Sequence, residues 1–457
     1  MSYNFIRYDQ DQQHLLPKSI DEWVEADSLE RFVSDVIDYL DEEGRLEPFY
    51  PSERDDLRGR PQYHPVMLLK VLVFGYAVGV RSSRKLDRLL ERDVAFRYLA
   101  ANQQPDFRTI SDFRKDNREA FTRLFVDIVQ LCDAAGMVDL GEVAIDGRRV
   151  QGDSALSANR TREQIEEEIQ AILDEAAEID EQEDEEYGPD KRGDELPEEL
   201  QDKQDRLDRL REAKQKLDDR EQQLKDEQAE KIREREQEEE ATGQKKRGRK
   251  PTPPGDVELD EDTTANVTDP ESQTLKTHDG WKQGYDGQVM VDCSTQLIVA
   301  QQVTTDANDK QQLEPMLDRC EETNDERPEN AIADAGYWSE DNAGLQDEQT
   351  ELYIATTKDW KRRKELAEQG PPRGRIPDDY GPKELMERKL RTKPGRSMYR
   401  KRAQTVEPVF GQHVNRGCDR FMLRGKAGAD AEWSLFSATH NLLKLWRAGW
   451  TLSYSRR

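Results

Sequence analysis

Between about Arg160 and Thr263 the chain almost ceases to supply apolar side chains, and this stretch constrains what lies on either side of it. Ile165, Ile169, Ile172, Ala176 and Ile179 step by four, three, four and three. After an acidic break with Gly188 and Pro189, Leu200, Leu207, Leu210, Leu217 and Leu224 resume in heptad register, with charge at most positions between. The spacing suits two helices in an antiparallel coiled-coil hairpin, or pairing with a second copy; a single exposed charged helix is the simpler reading. Only 34% of the 457 residues are apolar, so the cores must be built before and after this segment. It ends in QKKRGRKPTPPGD, where Lys245, Lys246, Arg247, Arg249 and Lys250 either lie extended in a narrow DNA minor groove or form a basic linker with nonspecific phosphate affinity.

Before the insert, residues 20–135 read as several helices. Pro65 opens a run in which Leu68, Leu69, Val71, Leu72, Phe74 and Val78 give a wide apolar face. Ser82 or Ser83 then caps a helix with Leu86, Leu89 and Leu90 inward and Arg84, Lys85 and Arg88 outward. One further helix is expected over TISDFRKDNREAFTRLFVDIVQLC. Arginine-bearing faces at 81–88 and 108–118 suit a helix-turn-helix-like DNA reader, and equally the solvated face of an ordinary bundle.

On either side of the insert the pattern changes to strands. Val143 and Ile145 lead to Asp146, and Ala331–Ala333 lead to Asp334, with Gly336 opening a turn before a helix near Ser339. Gln288–Asp292 and Leu297–Thr304 read as strands meeting at a turn, Asn308 as a cap for a helix with Leu313, Met316 and Leu317, and ELYIAT as another strand. This order is that of an α/β mixed sheet with flanking helices, on which Asp146 and Asp334 occupy neighbouring strands. A third acid, Glu407, lies on a helix whose apolar face is read as Val406, Phe410 and Val414. Three carboxylates suit phosphoryl transfer, in which two Mg²⁺ ions about 3.5–4 Å apart (Mn²⁺ serving as well) neutralise the attacking and leaving oxygens.

Charge at first argues against a nucleic-acid partner: 98 Asp and Glu stand against 70 Lys and Arg, net −28. A halophilic, salt-rich cytoplasm or the acidic insert alone would account for the excess. Against it, Arg388, Lys389, Arg391, Lys393, Arg396, Arg400, Lys401 and Arg402 run without an acid among them, and Lys361–Lys364 add a second patch. Cys132, Cys293, Cys320 and Cys418 form no CxxC pair, so neither a zinc site nor a disulfide framework is expected. No basic-then-apolar leader opens the chain, and Val66–Val80 is too short and too polar for a bilayer span, so a cytoplasmic protein with no membrane partner is expected. Asp153 and Glu142 are possible supports for Asp146; His440 reads as packing, and Trp433, Trp446 and Trp450 as core.

NVTDPES, KTHDGWKQGYDGQ, ADAGYWS, TVEPVFGQ, RFMLRG and HNLLKLWR, in this order, resemble the motif series of insertion-sequence transposases with an RNase H-like DDE domain. HPVMLLKVLVFGYAVGVRSSRKL is similar to their terminal-repeat-binding domain. The resemblance implies a helical DNA-binding domain over 1–135, an RNase H-like catalytic domain over 136–159 and 264–457, and a coiled-coil-like insertion with basic linker over 160–263. It implies Asp146, Asp334 and Glu407 as catalytic metal ligands, with Tyr399, Arg400 and Arg402 near the DNA. Many members carry a Lys two turns after the Glu; Val414 stands there, and Arg416 is the nearest substitute. The implied activity is metal-dependent cleavage of double-stranded DNA at terminal inverted repeats and strand transfer to a target, by a nucleoid-associated homodimer in the synaptic complex. A nuclease of the same fold without strand transfer, and a non-catalytic DNA-binding protein from a decayed element, are the rival readings.

Overall fold

The computed structural model describes residues 19–51, 61–187, 198–242, 251–277, 280–306, 308–377 and 379–451. Its N-terminal part is helical: α1 (Leu29–Glu42), α2 (Pro65–Ala77), α3 (Ser83–Arg92), α4 (Val94–Leu99), α5 (Phe107–Asp116) and α6 (Arg118–Ala134). The single helix expected over 109–132 is two. Asn117 leaves helical geometry and its side-chain amide donates to the Phe113 carbonyl, which ends α5 before α6 begins. The basic face read over 108–118 also loses a member, because Arg114 points inward and is buried.

The strands are β1 (Val143–Gln151), β2 (Asn159–Thr161), β3 (Thr264–Asn266), β4 (Gln273–Thr277), β5 (Gly280–Asp292), β6 (Ile298–Thr304), β7 (Asn330–Ala333) and β8 (Glu351–Ile354). The main sheet runs β6–β5–β1–β7–β8, with β4 on the outer end of β5. β1, β5 and β6 are antiparallel neighbours, whereas β7 and β8 join in parallel. This is the RNase H-like mixed sheet. Alternation along β1 sends Val143 and Ile145 to one face, against α9 (Leu313–Asn324), and Ala144 and Val150 to the other. Asn308 caps as expected, but through a short 3₁₀ turn at Asp309–Gln312 that precedes α9.

Between β1 and the rest of the sheet the chain leaves as α7 (Arg162–Tyr187) and returns as α8 (Glu198–Thr242). Arg162 pairs with Asp218, Glu166 with Lys214 and Glu168 with Arg206, each at 2.6–2.8 Å. Positions rise on α7 as they fall on α8, so the two helices are antiparallel. Ile165, Leu207, Leu210, Ala213 and Leu217 are buried in the seam, and the β2–β3 ladder closes its base. Leu224 departs from the expected seam and is exposed, because α8 runs on past the start of α7. The side chains of Leu200, Ala176 and Ile179 lie outside the described residues, as does the basic tract with Lys245, Lys246, Arg247 and Arg249.

α10 (Glu340–Gly344) lies between β7 and β8, and after β8 come α11 (Trp360–Glu368), α12 (Pro382–Arg391), α13 (Lys393–Asn415) and α14 (Lys426–Arg447). α14 is buried along most of its length between the sheet and α6 and α2. Gly287 on β5 permits this: a Cβ there would stand 2.8 Å from the Trp433 ring, whose Nε1 donates to the Gln288 carbonyl at 2.9 Å. Glu432 completes the join. Its carboxylate accepts from the Tyr76 hydroxyl at 2.6 Å and the Leu423 amide at 3.1 Å, and lies 3.9 Å from the Arg114 guanidinium, all buried. Removing one member strands a buried charge. Glu432→Ala is therefore expected to lower stability by about 3–5 kcal/mol and Tyr76→Phe by about 1–3 kcal/mol in denaturant unfolding.

Candidate active site

The register of the parallel pair sets the site. Val143 lies beside Ala331 and Ala144 beside Ile332, and the same offset carries Asp146 to Asp334, just past the end of β7. Asp334 thus stands at the carboxyl end of β7, beside Asp146 midway along β1. The Asp334 carboxylate accepts from the Gly336 amide at 2.6 Å, and that of Asp146 from the Gly147 amide at 3.0 Å. Burial pushes the Asp146 carboxyl up to about 6; Arg402 pulls it down, and the negative charge of Asp334 pushes it further up.

α13 crosses the sheet above these acids. Arg402 donates to Asp146 Oδ2 at 2.6 Å, and both Asp334 and Tyr399 act on its charge. Lys401 pairs with Glu142 before β1, whereas Arg148, two residues past Asp146, donates to the Phe410 carbonyl at 3.4 Å. At about 100° per residue, Glu407 lies about 140° around α13 from Arg402, on the exposed side with Arg400 and Ala403. Among the described residues, no group of three or more metal-capable side chains is gathered. Asp146 and Asp334 are brought together; Glu407 does not join them.

The helical phase differs from the expected one. Thr405, Val406, Val409 and His413 are the buried positions, Phe410 is half-buried, and Val414 is exposed. Stepping by four from Val406 follows the apolar letters, but packing under Trp433 selects His413 instead. Arg416 does not stand in for a lysine near Glu407. It turns to α14, 3.3 Å from Thr439 Oγ1 and 3.5 Å from His440 Nδ1, and burial pulls it down to about 10. His440 is buried against the Gln296 carbonyl and Trp433 lies in the core, as read; Trp446 is half-buried. Asp153 serves Arg420 and Arg424 rather than Asp146. Arg84, Lys85 and Arg88 are exposed on α3, where Arg84 lies over the Phe107 ring.

Two acids escaped the sequence reading. Asp286 on β5 and Asp309 after β6 approach the acid pair from the other face of the sheet. Gln288 donates to Asp309 at 3.3 Å and accepts from the buried Tyr337 hydroxyl. Gly336 is required here: a Cβ would stand 2.6 Å from Asp309 and 2.8 Å from Asp334. Burial and the facing Asp309 push the Asp286 carboxyl up to about 7, with Arg149 opposing. An acid on the inward-facing side of a strand was the signal available at Asp286. Because its folded value lies above the ordinary carboxylate range, ionised Asp286 costs stability fully above about pH 7, and that cost fades as pH falls toward 4. Asp286→Asn is expected to raise the melting temperature at pH 8, with the gain shrinking to nothing near pH 4.

Two hard carboxylates in mutual repulsion, opposed by one guanidinium, have the chemistry to share a divalent cation. Residues 18–116 match a family model described as a transposase domain (DUF772), and residues 378–446 match a transposase DDE domain. No curated protein and no solved structure is significantly similar to the chain. One match covers most of the N-terminal helices and the other spans α12, α13 and most of α14, and together they support an insertion-sequence DDE transposase.

Proposed function

We propose that this transposase binds the terminal inverted repeats of its element as double-stranded DNA, cuts at their ends and joins the freed 3′ ends to target DNA. The observation that carries this is the side-by-side placement of Asp146, midway along β1, and Asp334, just past β7, beneath Arg402. Asp146 and Asp334 would hold a divalent ion, Mg²⁺ or Mn²⁺, with Glu407 of α13 as the third ligand. A pair of such ions would supply charge neutralisation at phosphorus and an activated oxygen nucleophile.

The chain's own groups do the positioning. Arg402 pairs with Asp146 in the free protein, and would be released to the scissile phosphate if a cation occupied the acid pair. Tyr399 flanks it. Arg400, exposed like Glu407, and Arg396, half-buried with its guanidinium on the Gln369 carbonyl, hold the phosphates leading to the acid pair. Arg84, Lys85 and Arg88 grip the repeat farther out, and Lys245, Lys246, Arg247 and Arg249 add affinity from the linker. Synapsis of two ends calls for a homodimer acting at the nucleoid.

Labelled repeat ends, incubated with the full chain, Mg²⁺ and a target plasmid, test the reading. Asp334→Asn is expected to lower cleavage by more than about a hundredfold with DNA affinity retained. Arg402→Ala is expected to lower cleavage by about tenfold or more and to weaken binding little. Nicked ends without joined product would leave a nuclease; wild-type inactivity with Mg²⁺ and Mn²⁺ would leave a DNA-binding protein.

A further inference from the structure

β5 is 13 residues long, and only its second part pairs with β1. Its first part, with β4, forms a hairpin that extends past Gln151, the last residue of β1. The hairpin therefore projects beyond the carboxyl end of β1, the strand that carries Asp146. Its described end is unusual for so acidic a chain. Trp281 is 57% exposed, its ring lies 5.9 Å from Lys276 Nζ directly across the ladder, and Lys282 follows on the other face. Arg149 of β1 donates to the Lys276 carbonyl, adding a third cation at the hairpin's base. Leu275, buried, anchors it to the body.

Trp281 has no core to fill, and its exposure costs hydration free energy in the free protein. An aromatic face among lysines fits a polyanion with flat apolar surfaces, which is nucleic acid. We propose that the β4–β5 hairpin is a DNA finger: Lys276 and Lys282 take phosphates and Trp281 packs into the minor groove of the duplex leading away from the acid pair. Val289 lies opposite Asp146, and Trp281 is eight residues before it on the same strand. At ~3.3 Å per residue a straight strand would reach ~26 Å from the acid pair, and the bond from Arg149 to the Lys276 carbonyl draws the hairpin back inside that limit. With a helical rise of ~3.4 Å per base pair, it meets the duplex within about eight base pairs of the cleaved phosphate. This rests on the transposase reading and adds to it a contact outside the acid site and outside both basic patches.

Fluorescence anisotropy of the full chain with a mixed-sequence duplex over a salt series, and hydroxyl-radical footprints on the element's own ends, test it. Trp281→Ala is expected to weaken binding about tenfold with the salt slope unchanged. Lys276→Ala with Lys282→Ala is expected to reduce that slope by about two. Both variants lose protection within about eight base pairs of the cut and still cut at the same phosphate, and Trp281→Phe keeps most of the affinity. If wild type cuts its ends while these variants keep full affinity, slope and footprint, the finger is wrong and the transposase reading stands. If wild type binds no duplex, both fall.

Discussion

The site depends on one register: β1 lies parallel to β7 with Ala144 beside Ile332, and this brings Asp146 to Asp334. A parallel pair is stable only when both faces of the sheet are covered. α9 covers one face; α13 and α14 cover the other, and α14 packs on α6 and is held to α2 and α5 through Glu432, Tyr76 and Arg114. The N-terminal helices therefore do more than offer an arginine face. They form one side of the core that keeps the two acids level, and a change in that core can reach the acids without touching them.

Where local pattern sufficed, the sequence could be read. Asp146 and Asp334 each follow a short apolar strand, and Gly336 after the second marks the tight turn that the Asp334 carboxylate braces. The heptad seam of the insert was likewise visible in Ile165, Leu210 and Leu217. What was not legible is what tertiary packing decides. His413 carries a polar ring yet is wholly buried against Trp433, so a reading by apolar letters chose Val414 and rotated the helix. Arg114 looks like a surface cation until Glu432, over three hundred residues away, supplies its partner. Asp309 enters the site from the turn before α9, and no spacing in the sequence links it to Asp286.

Charge is partitioned rather than uniform. The acidic excess is heaviest on α7 and α8, which leave the sheet after β1 and return before β3, so the insert is accommodated as a hairpin with its own small core. The cations concentrate on α12 and α13 and on the β4–β5 hairpin, around the acid pair. A chain of net charge −28 can in this way present a locally basic surface to DNA while the rest repels it, which favours one approach direction over others.

As a transposase, the chain would hold its cation on Glu407 together with Asp146 and Asp334, although Glu407 is exposed on α13. Glu407→Cys tests this most directly, since a thiolate is a poor ligand for Mg²⁺ and a better one for Mn²⁺. Cleavage of labelled repeat ends by this variant is expected to be lost in Mg²⁺ and restored in Mn²⁺. Full cleavage by Glu407→Cys in Mg²⁺ would contradict the account, because Glu407 would then hold no metal.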